Sequence, residues 1–466
     1  MDFRTTTVAA LADDVAARRT SARELVGAAL ARIEEVDAKI NAFVAVDEEQ
    51  ALADAAALDA RLAAGEEVGP LTGIPIGVKD LEDAAGFRTT QGSAVYAESP
   101  VATTDSALVE RLKAAGCIVV GKTNTPETGH KADTVNLVFG ATGNPWDLAR
   151  SAGGSSGGSA AAIAAGLVPL CTGSDGGGSI RIPSALCGIT GMKPSLGRVP
   201  VGGPKPPGWA DLSTRGPMAA RARDITLALD TVVGPDPTDL RALPLPDTSW
   251  SRSLHALHAP RKVGWSPTLG YARVDREVLA LCEAGLKVLE GLGTEIVDVD
   301  PVFSEDPGMP WLTLATAGDE RSLGHLRGTD DWARLDPGHV ELMDRFGATA
   351  SGADVMAAID ACHLANVRLV ELFHQVALLL TPTVAGQAGL IGEQGTVDGQ
   401  PTPQWVSFTY PFNMTRSPAG TVCVGFTEAG LPVGLQVVGP QHADVVVLRA
   451  LALLEDALAI DRVAPV

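Results

Sequence analysis

Residues 151–160 read Ser-Ala-Gly-Gly-Ser-Ser-Gly-Gly-Ser-Ala, and residues 173–183 read Gly-Ser-Asp-Gly-Gly-Gly-Ser-Ile-Arg-Ile-Pro. Glycine is poor inside helices and strands, so such clusters mark loops with special backbone angles or close backbone approach. A flexible Gly/Ser linker is the plainest alternative. Linkers, however, do not enclose an Ala-rich helix followed by Leu167-Val-Pro-Leu170, and they do not end in a defined Ile-Arg-Ile-Pro. Two structured loops that bracket a helix and a strand are the better account.

Outward from this centre the chain mixes helices and strands. On the N-terminal side, Thr20-Ser21 can cap a helix whose apolar positions include Leu25, Val26, Ala29, Ile33 and Val36, close to a 3.6-residue period. Residues 51–64 suggest a second helix, ended by Gly65. The stretch Leu71 to Asp80 alternates β-branched residues with breakers and reads as a strand or strand edge. Helix-then-strand order recurs at 105–115 with 117–120, at 277–292 with 295–299, and at 354–374 with 376–380. Residues 421–426 and 433–438 resemble paired strands, and 448–457 a closing helix. Residues 202–208, 236–247 and 390–403 read as loops. This order predicts a layered α/β fold.

Length alone would allow about three domains at ~150 residues each. Of the 466 residues, 45% are hydrophobic and 20% charged, enough for a large core that can hold a catalytic group out of water. The formal charge of -20 repels phosphate backbones and anionic lipid heads, which argues against nucleic-acid and membrane-surface partners. The six cysteines are scattered, without a CxxC pair or zinc spacing, and read as reduced core residues. No basic stretch followed by an apolar one opens the chain, and the longest apolar run, Ala160 to Cys171, is shorter than the ~20 residues that cross a bilayer. The cytoplasm is the expected location.

Two Gly/Ser loops could cradle a phosphate, but neither carries the Gly-Lys-Ser/Thr of that motif. They could instead aim backbone N–H groups at a developing oxyanion, and Ser179, directly after three glycines, would place its own N–H there. Gly153 to Gly157 also matches a GxSxG elbow. That motif must follow a buried strand, whereas here it follows the loop-like stretch Asn144 to Ser151. A nucleophilic serine needs a base. The eight histidines are dispersed and none lies in either cluster. Lys79 ends a run containing Ile74, Ile76 and Val78; desolvation would push such a lysine towards its neutral, basic form. Taken alone, a strand-end lysine facing water explains it equally well.

Together these features resemble the amidase signature family. The match covers Gly153 to Ser159, Gly173 to Arg181, Cys187-Gly188 and Gly191-Met-Lys-Pro194. It extends to Gly73-Ile-Pro-Ile-Gly-Val-Lys-Asp80, Gly121-Lys-Thr-Asn124, Asn144-Pro-Trp146, Pro411-Phe-Asn413 and Gly430 to Gln436, and so spans nearly the whole chain. The resemblance implies a single α/β domain over residues 1–466, with a mixed central sheet covered by helices on both faces, in place of three domains. Within it, residues 1–68 would be a helical part, 69–200 the signature core, 199–248 and 303–351 variable substrate-shaping segments, and 376–466 a C-terminal sheet and helix.

The resemblance also implies a Ser–cis-Ser–Lys triad: Ser179 as nucleophile, Ser155 as proton relay on a cis peptide, Lys79 as base. Gly176, Gly177, Gly178 and Ser179 match the oxyanion-hole backbone, and Ser156, Asp175 and Arg181 match residues that brace the loops. No metal or organic cofactor is implied. The chain departs from the family's pattern at Gly176, where relatives often carry Thr or Ile, and at Arg416, where they often carry Gly and where a surface position is expected. The expected substrate is a small aryl or alkyl amide, with esters and hydrazides as alternatives, and a homodimer is one open arrangement. Trp209, Trp311, Trp332 and Trp405 are candidate pocket walls. The glutaminase subunit of a tRNA-dependent amidotransferase, which shares fold and triad, is the rival. Its glutamine site uses an acidic residue where Val406 stands here, which favours a stand-alone amidase.

Overall fold

The computed structural model describes residues 2–204 and 206–466, so Met1 and, within the expected 202–208 loop, Lys205 lie outside the described residues. The principal elements are α1 (Val8–Ala16), α2 (Ala22–Ile40), β1 (Phe43–Val46), α3 (Glu48–Ala63), β2 (Pro75–Lys79), α4 (Ala107–Ala114), β3 (Ile118–Thr123), α5 (Gly157–Ala164), β4 (Leu170–Asp175), α6 (Arg181–Leu186) and β5 (Gly191–Lys193). They continue with β6 (Thr214–Ala219), α7 (Ala222–Val232), β7 (Lys262–Trp265), α8 (Arg276–Gly291), β8 (Glu295–Asp298), α9 (Gly308–Leu323), α10 (Gly352–Phe373), β9 (Leu379–Pro382), β10 (Ala419–Phe426), β11 (Pro432–Val438) and α11 (Asp444–Leu458).

The helix starts follow their chemistry. Ser21 and Glu24 form a capping box at α2: the serine side chain accepts from the Glu24 N–H, and the glutamate side chain accepts from the Ser21 N–H. The apolar stripe of α2, from Leu25 to Ile40, is buried.

The strands form a five-stranded sheet in the order β1-β3-β2-β4-β6 and a six-stranded sheet in the order β8-β7-β9-β11-β10-β5. A bridge between Thr190 and Ala219 joins β5 to β6, so the two run on as one mixed sheet. Parallel pairs (β2 with β3 and β4, β7 with β8 and β9) sit among antiparallel ones. Every residue of β2 and β3 is buried, so both faces of the sheet are covered there by other layers, as the family resemblance implied. One apolar core includes Ile76 and Val78 of β2, Leu435 and Val437 of β11, and Leu448 and Leu451 of α11. This is the single α/β architecture expected from the family resemblance, not three domains. Among the described residues no helix is long and apolar enough to cross a membrane.

Some expectations shift. The strand expected at 376–380 is Leu379–Pro382, paired with β11. The stretch before Gly153 is not plain loop: Gly143–Asn144 and Asp147–Ser151 form a two-stranded ribbon. Leu148 and Ala149 of that ribbon are exposed, so it is still not the buried strand that a GxSxG elbow requires. The 390–403 loop contains a small hairpin, Thr396–Val397 with Gln400–Pro401.

The parallel trio positions the site. Lys79, Thr123 and Asp175 end β2, β3 and β4, and Lys79 lies opposite Thr123. Crevices beyond the carboxyl ends of parallel strands are where α/β sheets place their ligands.

Candidate active site

Lys79 is fully buried, and its Nζ lies 2.7 Å from Ser155 Oγ, 2.8 Å from Ser156 Oγ and 3.0 Å from Ser174 Oγ. The strand-end lysine therefore does not face water. Burial, which strips solvent from the ammonium, lowers its pKa to about 7; Glu82 and Asp175 pull it upward, and Arg215 reinforces the fall. A neutral amine has two hydrogens and one lone pair, which three hydroxyl neighbours can saturate. Ser156 Oγ also donates to the Ser174 carbonyl, tying this nest together.

The Gly154–Ser155 peptide is cis, as the family resemblance implied. The Ser156 N–H donates to the Ser179 carbonyl at 3.2 Å, pinning the second Gly-rich loop beside the first. Ser155 and Ser179 line the same cavity. Among the described residues Ser179 Oγ makes no hydrogen bond, to Ser155 or to any other group. Hydrogen bonds of this kind are often long before substrate docks.

Asp175 and Arg181, both fully buried, hold the loop between β4 and α6. Arg181 grips Asp175 with two nitrogens, at 2.9 and 2.8 Å, and reaches Thr409 O, Gln436 Oε1 and Asn413 Oδ1. Burial alone would raise the Asp175 carboxyl, but the Arg181 charge and hydrogen bonds, helped by Lys193 and Asn413, bring it down to about 2. The loop carbonyls are all taken: Gly176 O by Trp311 Nε1, Gly177 O by Thr409 Oγ1, Gly178 O by Ile182 N and Ser179 O by Ser156 N. The N–H groups of Gly176, Gly177 and Ser179 have no partner among the described residues. Gly178 corrects the expectation. Its N–H donates to Asp175 Oδ1 at 2.8 Å and is not open to a ligand, and its φ of +131° is one that only glycine adopts readily.

Two cavities meet at Ser179. The larger, about 740 Å³, includes Glu82, Ser155, Ser174, Gly176 and Arg215 in its wall. The smaller, about 340 Å³, is mostly apolar, with Ile182, Trp311, Leu312, Val406 and Tyr410. Trp311 stands edge-on to Trp209, with centroids 5.8 Å apart, and stacks on Tyr410 at 5.5 Å. The departure at Gly176 has a physical counterpart: a Cβ there would come within 2.6 Å of the Trp209 ring.

Of the four tryptophans singled out, Trp209 and Trp311 line the cavities. Trp332 instead stacks under Arg327 at 4.2 Å, and Trp405 is buried in the core. Arg416 is exposed, as expected, and pairs with Asp211 at 2.6 Å. Its φ of +57° fits the glycine that relatives often carry there. Sequence reasoning misses Ser174, although it shares a strand face with Thr172, whose hydroxyl accepts from the Lys79 N–H. It also misses Thr409 and Gln436 as braces, and Asn413 enters it only as part of a motif.

The family model described as "Amidase" matches residues 24–448. The chain is 37% identical to an "Acylamidase" of Rhodococcus erythropolis, covering 96% of this chain and 94% of that protein. It is 35% identical to one component of the glutamyl-tRNA(Gln) amidotransferase of Thiobacillus denitrificans, covering 95% of each. The crystal structure of a bacterial aryl acylamidase of the amidase signature enzymes superposes with a TM-score of 0.90 at 28% identity, over 97% of this chain and 96% of that one.

Proposed function

Because the chain belongs to the amidase signature family and is an amide-hydrolysing enzyme, we propose that it cleaves small aryl or alkyl amides through an acyl-enzyme on Ser179. The observation that carries this reading is the buried Lys79 amine, 2.7 Å from Ser155 Oγ, beneath a cavity that Ser155 and Ser179 share.

Neutral Lys79 takes the Ser155 proton as Ser155 takes that of Ser179, and the Ser179 oxygen bonds to the amide carbon. The resulting oxyanion is held by the N–H groups of Gly176, Gly177 and Ser179. Gly178 contributes through its backbone angle rather than as a donor. As the tetrahedral intermediate collapses, the C–N bond breaks, and the proton returns through Ser155 to the leaving nitrogen. Water then attacks the ester, and the same relay carries its proton until the acid leaves and Ser179 is regained. Asp175, Arg181 and Ser156 hold the two loops in register.

Similarity to an acylamidase supports an acyl amide as substrate. Val406, where the amidotransferase is expected to carry an acidic residue, lies in the apolar wall of the smaller cavity and supports a stand-alone enzyme over a glutaminase component. The test is a panel of anilides, primary amides, hydrazides and esters offered to the wild type and to Ser179→Ala. We expect anilide or alkyl-amide turnover by the purified chain, and a loss of roughly 10⁴-fold or more in Ser179→Ala. Turnover unaffected by that substitution would remove the assignment.

A further inference from the structure

Among the described residues three face both cavities: Gly129, Ser179 and Trp209. Two of them are small, so among the described residues Trp209 is the one large side chain between the two spaces. Its ring covers Gly176, in the loop that carries Ser179. Its indole N–H donates to Asp319 Oδ1 at 2.6 Å. The other oxygen of Asp319 lies 3.2 Å from His339 Nε2, and His339 Nδ1 lies 3.2 Å from Glu127 Oε1. His339 is buried and stacks on His130, a wall residue of the smaller cavity, with centroids 4.2 Å apart.

We infer that Trp209 is a specificity-determining partition that divides the space around Ser179 into two compartments, and that Asp319 is the positioning residue that holds its ring there. The inference rests on the amide-hydrolase reading of Ser179 and adds to it what limits the size of the substrate. A buried carboxylate that accepts from an indole and faces a charged imidazole has few other arrangements, so the ring is fixed by more than packing. Burial pushes the His339 imidazole down, but Asp319 and Glu127 outweigh it and raise it to about 9, so the ion pair persists through neutral pH. With the partition in place, each side of the scissile amide must fit its own compartment. Without it, the two compartments merge.

The experiment is a ladder of 4-nitroanilides whose acyl group lengthens from acetyl to decanoyl. It compares kcat and KM for the wild type, Trp209→Ala, Trp209→Phe, Asp319→Ala and Asp319→Asn. For Trp209→Ala we expect the ratio of kcat/KM on long chains to that on acetyl to rise roughly tenfold, the scale that a single methylene commands in an apolar pocket. The change should appear mainly in KM. Asp319→Ala should shift the profile the same way, and Asp319→Asn, which keeps an oxygen for the indole, should return it towards wild type. Should Asp319→Ala fail to fold, Trp209→Phe tests the anchor, because it keeps a ring but lacks the N–H; its profile should lie between wild type and Trp209→Ala. An unchanged chain-length profile in Trp209→Ala overturns the partition. A Trp209→Phe profile equal to wild type overturns the role of Asp319. Ser179→Ala, run on the same ladder, separates these outcomes from failure of the underlying reading: if it stays active, the reading falls whatever Trp209 does.

Discussion

At the scale of single residues the argument turns on one proton. Lys79 sits where water cannot solvate its ammonium, so its pKa falls from 10.5 to about 7. The charged form predominates below that value and the neutral form above it. If Lys79 is the base, kcat/KM should rise with pH along a limb of unit slope with its midpoint near 7, then level off, because this parameter reports the free enzyme. Lys79→Met should lower kcat/KM by about 10²–10⁴-fold, the usual reach of general acid–base catalysis. A wild-type profile of kcat/KM that stays flat through about pH 7, with no limb rising there, would exclude a desolvated Lys79 from that role. The sequence carried part of this: a lysine closing a run of Ile74, Ile76 and Val78 could be solvated or desolvated, and only the family motif favoured the second. What it hid was the third hydroxyl. Ser174 reaches Lys79 because β4 lies beside β2, and pairing between strands far apart in sequence leaves no local trace.

At the scale of elements, α6 is the part least able to stand by itself. Six residues, one of them Pro183, are far below the length at which a helix holds in water. The fork between Arg181 and Asp175 and the bonds to Thr409, Asn413 and Gln436 hold its start in place. Asp175 keeps its charge down to about pH 2 in the fold, against 3.8 for a free carboxyl. Its contribution to stability is therefore complete above about pH 3.8 and is lost as pH falls through about 2. Arg181→Leu would strand this buried carboxylate without its paired guanidinium and should cost about 3–5 kcal/mol in urea unfolding at neutral pH. Arg181→Lys should recover little, since one ammonium cannot span partners on several sides. Full stability in Arg181→Leu would show that the loop is held by other means. Legibility follows the same physics. α2 was readable because its capping box and its apolar period are local, whereas α6 has no period to read. The strand expected at 376–380 moved because the partners of Leu379–Pro382 lie on β11, more than fifty residues further along the chain.

For the whole molecule, length pointed the wrong way. A chain of 466 residues suggested about three domains, because length says nothing about how apolar surface is shared out. The motifs from Gly73 to Gln436 pointed to a single unit, and the packing explains why. One core passes from the five-stranded sheet through α11 into the six-stranded sheet. The strand edges join at Thr190 and Ala219, and Arg4 and Arg32 donate to the carbonyls of Ala464 and Val466. Chains beyond ~150 residues often unfold in steps, one domain at a time. Here the two sheets meet at their edges and share one cluster of buried side chains, to which Ile76, Leu435 and Leu451 all belong, so neither sheet keeps its covering after the other has gone. Thermal unfolding should therefore show one transition, with far-UV and near-UV circular dichroism losing signal at the same temperature. The charge of -20 opposes compaction at every stage, so added salt should raise that temperature without splitting it. A separate early transition that removes the near-UV signal of the tryptophans around Ser179, while the remaining structure persists, would mean that the cavity walls melt apart from the sheet. Trp209 and Trp311 would then sit on a unit held only by side-chain anchors, and the shared core would not reach the site.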